Sequence, residues 1–187
     1  MLFRSIPMAI PLEFDLTIYP DPVLRKPSEP VAVFDEGLRA IVDGMFERMR
    51  KSNGVGLAAP QVGLKKRILV LNPTGEAADD LALVNPEIVD RYGKLTLFEE
   101  GCLSFPGIYA EVKRPEKCKV RAFTVEGKPI EADYDGFVAR IIQHEYDHLE
   151  GVLLVDRMSP SDKLANKARL EELVDEFKRR QEQAGVR

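Results

Sequence analysis

Residues 143–151 read QHEYDHLEG, and both histidines of the chain lie in this stretch. On a helix, His144 and His148 are one turn apart on the same face, where two imidazoles can bind one metal ion. Glu145 lies about 100° round the helix from His144, too far to join them as a ligand but near enough to contact water at the metal. A chance surface pair is the alternative, but the strong helix signals and the lack of other histidines favour a metal site.

The helix that carries the histidines is the second of three amphipathic helices predicted from apolar spacing. It begins after Asp135, which we expect to cap the first turn, and ends near Gly151 in the left-handed conformation. The first helix follows its N-cap Asp35 and ends at Asn53-Gly54. The third covers residues 160–184, after a Ser-Pro-Ser-Asp start typical of a capping box.

Short runs of β-branched or aromatic residues lie between the helices, bounded by Pro, Gly, Asn or Asp. Glu126-Gly127-Lys128 separates two of these runs and predicts a hairpin. Without regular βαβ alternation, the pattern predicts an α+β fold: short, mainly antiparallel strands around a central metal-binding helix, with amphipathic helices toward both ends. The predicted strands cover residues 67–71, 81–89, 94–98, 117–125 and 130–134.

Length and composition indicate an ordinary globular protein. The chain has 187 residues, 27 basic and 31 acidic, for a formal net charge of −4. We expect one domain over residues 1–187, with a lead over residues 1–17 and no basic surface for reading nucleic acid. No apolar run approaches the roughly 20 residues of a membrane span. Pro7 and Pro11 interrupt the apolar start, which we interpret as the N-terminus of a cytoplasmic protein.

Two imidazoles leave a first-row metal under-coordinated, and Cys102 is the best candidate for a third ligand. It lies in EEGCLS (residues 99–104), where a thiolate could project from a turn toward the helix. An isolated cysteine is more often a small buried hydrophobe, but the incomplete histidine pair favours a ligand. We assign Cys118 to the core. Spacing permits a Cys102–Cys118 disulfide, although a cytosolic setting would keep both thiols reduced.

A third motif, GVGLAAPQ, covers residues 54–61. Small residues let a backbone approach an extended ligand, and the Gln61 amide can donate a hydrogen bond to a developing oxyanion. A flexible loop is the alternative interpretation. The glycines are not followed by Lys-Ser or Lys-Thr, so this is not a phosphate loop.

Taken in chain order, the three motifs resemble those of peptide deformylase, the metalloenzyme that removes the formyl group from the N-terminal formylmethionine of new bacterial polypeptides. The matching segments are residues 54–61, 100–104 and 143–151, and Tyr19–Arg25 resembles the family's early segment. The likeness runs from about Ile18 to Ser159. The terminal helix is similar to that of bacterial members with a long C-terminal helix.

The resemblance implies that Cys102, His144 and His148 bind one ferrous ion and that Glu145 is the general acid and base. A thiolate-bound ferrous centre is oxygen-sensitive, so purified protein could carry zinc, nickel or cobalt instead. Negative charge on the formyl oxygen would be stabilised by the metal and by two further groups, the Leu103 backbone N–H and the Gln61 side chain. The substrates would be formyl-Met nascent polypeptides and the products formate and a free N-terminus.

The methionine side chain of the substrate would enter an apolar pocket beside the metal. Phe137 and Ile141 share a helical face with His144, although both would ordinarily be core residues. The resemblance implies that the peptide backbone adds as a strand between the Val55 region and Gly107-Ile108. The full set of expected substrate contacts is Val55, Gly56, Phe98, Glu100, Gly101, Gly107, Ile108, Phe137, Arg140 and Ile141.

Two other functions remain open from the residues alone. A zinc peptidase of the His-Glu-x-x-His kind would cut internal amide bonds, but such enzymes commonly take a third ligand from a downstream Glu or His. A non-enzymatic domain with a structural metal would normally use four protein ligands, and only three are credible here. The C-terminal helix could contact the ribosome, but its basic and acidic residues are nearly matched, which favours a solvated mixed-charge face.

Overall fold

The computed structural model describes residues 12–185. The apolar start with Pro7 and Pro11 lies outside this range, as does most of the predicted lead over residues 1–17. The single domain predicted for residues 1–187 stays a prediction. Within the described range, no helix combines the length and apolar character needed to cross a membrane.

Five antiparallel strands form one sheet in which each strand pairs with its neighbour in sequence. The predicted α+β class is confirmed, and so is the hairpin at Glu126-Gly127-Lys128, which joins the last two strands. The strands are β1 (Gly56–Ala58), β2 (Ile68–Leu71), β3 (Leu81–Gly101), β4 (Tyr109–Phe123) and β5 (Pro129–Asp135).

Strands β3 and β4 form a long two-stranded ribbon. The register pairs Val84 with Phe123 at one end and Gly101 with Tyr109 at the other. Because β3 ends at Gly101, Cys102 follows directly from the far end of the ribbon.

The separate strands predicted over residues 81–89 and 94–98 are one continuous strand. The register shifts between Tyr92 and Leu95, where Gly93 has a φ of +84°. A glycine at positive φ resembles a turn in sequence, but an irregularity in a strand uses the same conformation.

Strand β4 begins at Tyr109, well before the predicted start at residue 117. Its first half is rich in charge, which hides the alternation, yet Ala110, Val112 and Arg114 are all buried on one face. The charged Arg114 belongs to this buried face because it is paired with acidic groups. The loop interpretation of residues 54–61 is also wrong in part, since Gly56–Ala58 is a strand.

Helix α1 spans Glu36–Lys51, close to the prediction. The Asp35 side chain accepts a hydrogen bond of 3.0 Å from the Leu38 N–H, so the predicted N-cap is confirmed. Its apolar face packs with side chains of β1 and β2 in one of the three buried clusters. The helix therefore supports the strand that borders the functional site.

Helix α2 spans Gly136–Leu149 and packs its apolar side against the sheet. Gly151 has a φ of +71°, as predicted for the position past the last turn. Asp135 occupies the cap position, but its side chain makes no cap hydrogen bond, so that prediction is wrong. Asp135 is the last residue of β5. The chain changes direction from the strand into the helix at Gly136, whose φ is +54°.

The single helix predicted over residues 160–184 is two helices, α4 (Pro160–Ala165) and α5 (Lys167–Gly185). A short helix α3 (Leu154–Arg157) precedes them. The Ser159 hydroxyl accepts from the Asp162 N–H at 3.1 Å, which confirms the capping box. Asn166 separates the two helices, and its side chain donates to the Tyr109 carbonyl of β4 and to the Asp162 carbonyl of α4.

Candidate metal centre

The three predicted ligand side chains converge. Cys102 follows the end of β3, whereas His144 and His148 are on α2, and one ligand atom from each lies within 4.8 Å of the others. Cys102 Sγ is 3.3 Å from His148 Nε2. Both cysteines are free thiols, and Cys118 is buried in the core as predicted, where burial raises its pKa to about 11.

This group of two nitrogens and one sulfur fits a divalent first-row metal ion. Burial, helped by nearby His144, lowers the pKa of His148 well below its usual value, so its ring is held in the neutral form that binds metals. Its buried Nδ1 has no hydrogen-bond partner among the described residues. The ligand group contains three residues of the described chain, so a four-coordinate ion held by them would have a further position for water or substrate.

Glu100 fixes the orientation of the His144 ring through a hydrogen bond to its Nδ1. Its carboxylate accepts a 3.0 Å hydrogen bond from His144 Nδ1, and it also accepts from Arg114 and Arg140. Burial raises the pKa of Glu100, but the hydrogen bonds from His144 and Arg114 outweigh it and lower the pKa to about 2. A carboxylate that fixes the outer ring nitrogen orients the other nitrogen toward the metal.

Arg114 joins Glu100 to a second buried carboxylate. It donates to Asp147 at 2.8 Å, and Arg157 of α3 donates to the same carboxylate at 2.6 and 3.0 Å. Sequence reasoning placed Glu100 among the substrate contacts and missed this network. No local signal could have found it, because the partners come from β3, β4, α2 and α3.

Glu145 is buried beside the ligand group but is not part of it. Its Oε2 has no hydrogen-bond partner among the described residues. Burial is the main cause that raises the pKa of Glu145, to about 7, while His144 lowers it and Glu100 raises it. A cation bound by the three ligands would lower this pKa again. The carboxylate thus lies beside the ligand group under two opposing effects, since burial raises its pKa and a bound cation would lower it.

Gln61 lies close to the Cys102 sulfur, in a 3₁₀ turn over Ala59–Val62. Its Oε1 accepts from the Ala58 N–H at 2.8 Å, which directs the amide N–H₂ the other way. Nε2 is 3.5 Å from Cys102 Sγ and 3.3 Å from Ser104 Oγ. The structure therefore places the amide donor predicted from sequence beside the Cys102 sulfur.

A cleft of about 590 Å³ opens onto this group. Every residue predicted to contact substrate borders it, together with Gln61, Leu103 and Glu145. Sequence reasoning missed Tyr109 and Pro106, which border it as well. Tyr109 is the first residue of the unrecognised early half of β4, and Pro106 lies in the turn that precedes it.

Two aromatic rings form the apolar part of the cleft. Phe98 and Phe137 are each about half exposed, with ring centroids 6.2 Å apart. The Arg140 guanidinium lies 5.4 Å from the Phe98 centroid and is fixed by bonds to Glu100 and the Thr96 backbone. Exposure of Phe137 contradicts a simple core role, whereas Ile141 is buried in the core and also borders the cleft.

Strand β1 forms one side of the cleft and is one of the two edge strands of the sheet. It pairs with β2 on one side, so its other edge is open to a further strand. Gly56 in this strand lies against the Glu145 side chain. A Cβ at this position would lie 2.5 Å from Glu145 Oε1 and 2.6 Å from Ile141 Cγ2.

Comparison with known proteins identifies the family. A family model described as polypeptide deformylase matches residues 14–164. The chain belongs to this family. It is 48% identical over 170 residues to peptide deformylase 1B, chloroplastic/mitochondrial, of Arabidopsis thaliana, a match that covers 90% of this chain and 61% of the relative.

A bacterial deformylase and a solved deformylase structure extend the likeness over nearly whole chains. The peptide deformylase of Thermotoga maritima is 41% identical over 166 residues, covering 89% of this chain and 99% of the relative. A crystal structure of peptide deformylase from Plasmodium falciparum superimposes with a TM-score of 0.86 at 39% identity, covering 88% of this chain and 97% of that one. This chain thus spans about three-fifths of the plant relative and nearly all of the bacterial one.

Proposed function

We propose that this protein is a peptide deformylase, a metal-dependent hydrolase that removes the formyl group from the N-terminal formyl-Met of newly made polypeptides. The observation that carries the proposal is the convergence of Cys102, His144 and His148 beside the buried Glu145 at the base of the cleft. Membership of the deformylase family supports it. We also propose the cytoplasm as the location.

The proposed cofactor is one ferrous ion held by Cys102, His144 and His148. Zinc, nickel or cobalt would suit the same ligands in purified protein. When bound, such an ion supplies Lewis acidity, which lowers the pKa of water and polarises the formyl carbonyl.

Glu145 accepts the proton of the attacking water and later delivers it to the leaving amine. Water adds to the formyl carbon, the carbon–nitrogen bond breaks, and formate and a free N-terminal amine result. Burial raises the pKa of Glu145, which favours acceptance of a proton from water, and a bound cation would lower it, which favours return of the proton to the amine.

Gln61 and the Leu103 backbone N–H stabilise the formyl oxygen as it gains negative charge. The Gln61 amide is directed by its bond to Ala58 and is therefore preorganised before substrate binds. Donors that need no reorganisation contribute most to lowering the barrier.

The methionine side chain lies against Phe98, Phe137 and Ile141, and the following peptide backbone adds to the open edge of β1. An unbranched, flexible side chain suits a pocket between two tilted rings. Main-chain pairing at a strand edge tolerates varied downstream sequence. The substrates are thus proposed to be formyl-Met nascent chains.

A ribosome contact through α5 has less support. Three of its basic side chains, Lys167, Arg169 and Lys178, are paired with acidic ones on the same helix. These pairs favour the solvated mixed-charge face.

The test uses protein purified without oxygen, with metal analysis of the same sample. Incubation with a formyl-Met tripeptide should release formate, and a matched acetyl-Met tripeptide should not react. Internal cleavage of a longer blocked peptide, without formate release, would instead establish a peptidase. A protein inert toward all three peptides, with a fourth protein ligand at its metal, would establish a structural site.

Replacing Phe137 by Arg should raise KM for formyl-Met peptides about 10-fold with a smaller change in kcat, since a charge in the pocket opposes burial of an apolar side chain. Steady-state formate release measures both constants. Leu164→Arg is the control, because Leu164 is 75% exposed outside the cleft. An unchanged KM in Phe137→Arg would place the pocket elsewhere.

Replacing Gly56 by Ala should lower kcat about 100-fold, the scale expected when a catalytic group is displaced by roughly 1 Å. The new methyl group would overlap Glu145 Oε1 and force the carboxylate to move. Metal content should stay stoichiometric. Gly185→Ala is the control, since a Cβ there meets nothing within 4 Å. Full activity in Gly56→Ala would show that the position of this carboxylate is unimportant.

A further inference from the structure

The C-terminal helices hold one wall of the cleft by its backbone. This wall, residues 105–109, lies between the ligand Cys102 and the body of β4. Asn166 Nδ2 donates to the Tyr109 carbonyl at 2.9 Å, and Arg169 Nε donates to the Pro106 carbonyl at 3.0 Å. Two carbonyls of the wall are therefore fixed by side chains from outside the sheet.

The anchoring side chains are themselves held. The Arg169 guanidinium also donates to Glu172 and Glu176 on its own helix, at 2.9 and 3.1 Å. Asn166 also donates to the Asp162 carbonyl at 3.0 Å. Beneath them, apolar side chains of the wall and of the C-terminal helices share one buried cluster that includes Phe105, Ile108, Leu154, Met158 and Leu173.

Fixing a carbonyl also fixes the N–H of the same peptide plane, which points the opposite way in a trans peptide. With the Pro106 carbonyl on Arg169, the Gly107 N–H points away from α5, and Gly107 borders the cleft. The wall turns here, with Gly107 at a φ of +80° and the Ile108 N–H bonded to the Phe105 carbonyl at 3.1 Å.

We propose that Asn166 and Arg169 are positioning residues. Their hydrogen bonds hold the wall where it can pair with the substrate backbone beyond formyl-Met. The inference rests on the proposed function and deepens it. The peptide strand has the open edge of β1 on one side and this wall on the other, so its pairing groups must be held at a fixed separation. Substrates long enough to reach the wall depend on the two anchors, whereas a formyl-Met derivative without further residues does not.

The experiment compares Asn166→Asp and Arg169→Met, singly and together, with the parent. The first keeps the side-chain shape but removes the donor, and the second keeps the apolar stem but removes the guanidinium. Lys167→Met is the matched control, because Lys167 is exposed on the same helix and its ion pair is with Glu171. Metal content and thermal unfolding are measured for every variant.

KM for a formyl-Met tetrapeptide should rise about 5-fold for each lost hydrogen bond, the usual value of one such bond. KM for formyl-Met amide, and kcat for both substrates, should stay within about twofold of the parent. A defect of folding or metal binding would change both substrates alike, so the length-dependent split is the diagnostic result. Equal changes for both substrates, or none for the tetrapeptide, would overturn the proposal.

A second measurement separates this proposal from the proposed function. Amide hydrogen exchange of residues 105–110 should be faster in the double variant than in the parent and the control, whether or not formate is released. A parent that releases no formate would refute deformylation. Unchanged exchange in the double variant would refute the anchoring of the wall.

Discussion

The Glu145→Gln variant should release formate from a formyl-Met tripeptide about 1,000-fold more slowly than the parent, within the range that a positioned general base contributes. The amide has nearly the shape of the carboxylate but cannot accept a proton. Since Glu145 is outside the ligand group, the variant should bind its metal as the parent does. Metal analysis and formate release on the same anaerobic preparation measure the two properties.

Glu150→Gln is the control for this variant. Glu150 follows the same helix, but its carboxylate is 41% exposed and paired with Arg67 at 2.7 Å. Its activity should equal that of the parent. A Glu145→Gln protein with full metal and parent-like kcat would remove the proposed general base, and one without metal would show that this carboxylate supports the ion directly.

The Cys102→Ala variant should lose its metal. Removing an outer partner of a ligand typically costs 10- to 100-fold in metal affinity, and removing a ligand itself should cost more than about 100-fold. Two histidines would remain, with His144 still oriented by Glu100. Competition with a chelator of known affinity measures the change, and formate release should fall in proportion to the metal lost.

Cys118→Ala is the matched control for the loss of a thiol. Cys118 is fully buried among apolar side chains on β4, so its replacement should lower thermal stability while metal content stays at the parent value. If Cys102→Ala kept metal at parent affinity, the sulfur would not be a ligand and the proposed centre would have to be rebuilt around other groups.

Sequence alone determined the parts of the site that depend on local spacing. The i, i+4 separation of His144 and His148 fixes their common face, and Gly151 fixes where their helix ends. These features follow from helix period and backbone conformation, which need no knowledge of the rest of the chain. The alternating and apolar patterns likewise predicted the antiparallel hairpin of β4 and β5 and the α+β class.

Cys102 as the proposed third ligand depends partly on the sequence and partly on the tertiary structure. The residues showed that a ligand was missing and that a thiol was available, and the resemblance to the deformylase family favoured that thiol. The register of β3 and β4, which ends at Gly101 and Tyr109, brings the sulfur to 3.3 Å from His148. No local pattern specifies such a register over a 21-residue strand.

Tertiary structure alone decided the partners that tune the site. Arg114 lies between the predicted strands 94–98 and 117–125, yet β4 places it on a buried face where it joins Glu100 to Asp147. By sequence, Gly56 is one of the small residues that let a backbone approach a ligand, yet its missing side chain also leaves the space that Glu145 occupies. Both depend on side chains distant in sequence meeting at distances of a few ångströms. Periodicity reports which face of an element is buried, whereas the groups that meet there are set by how the elements pack.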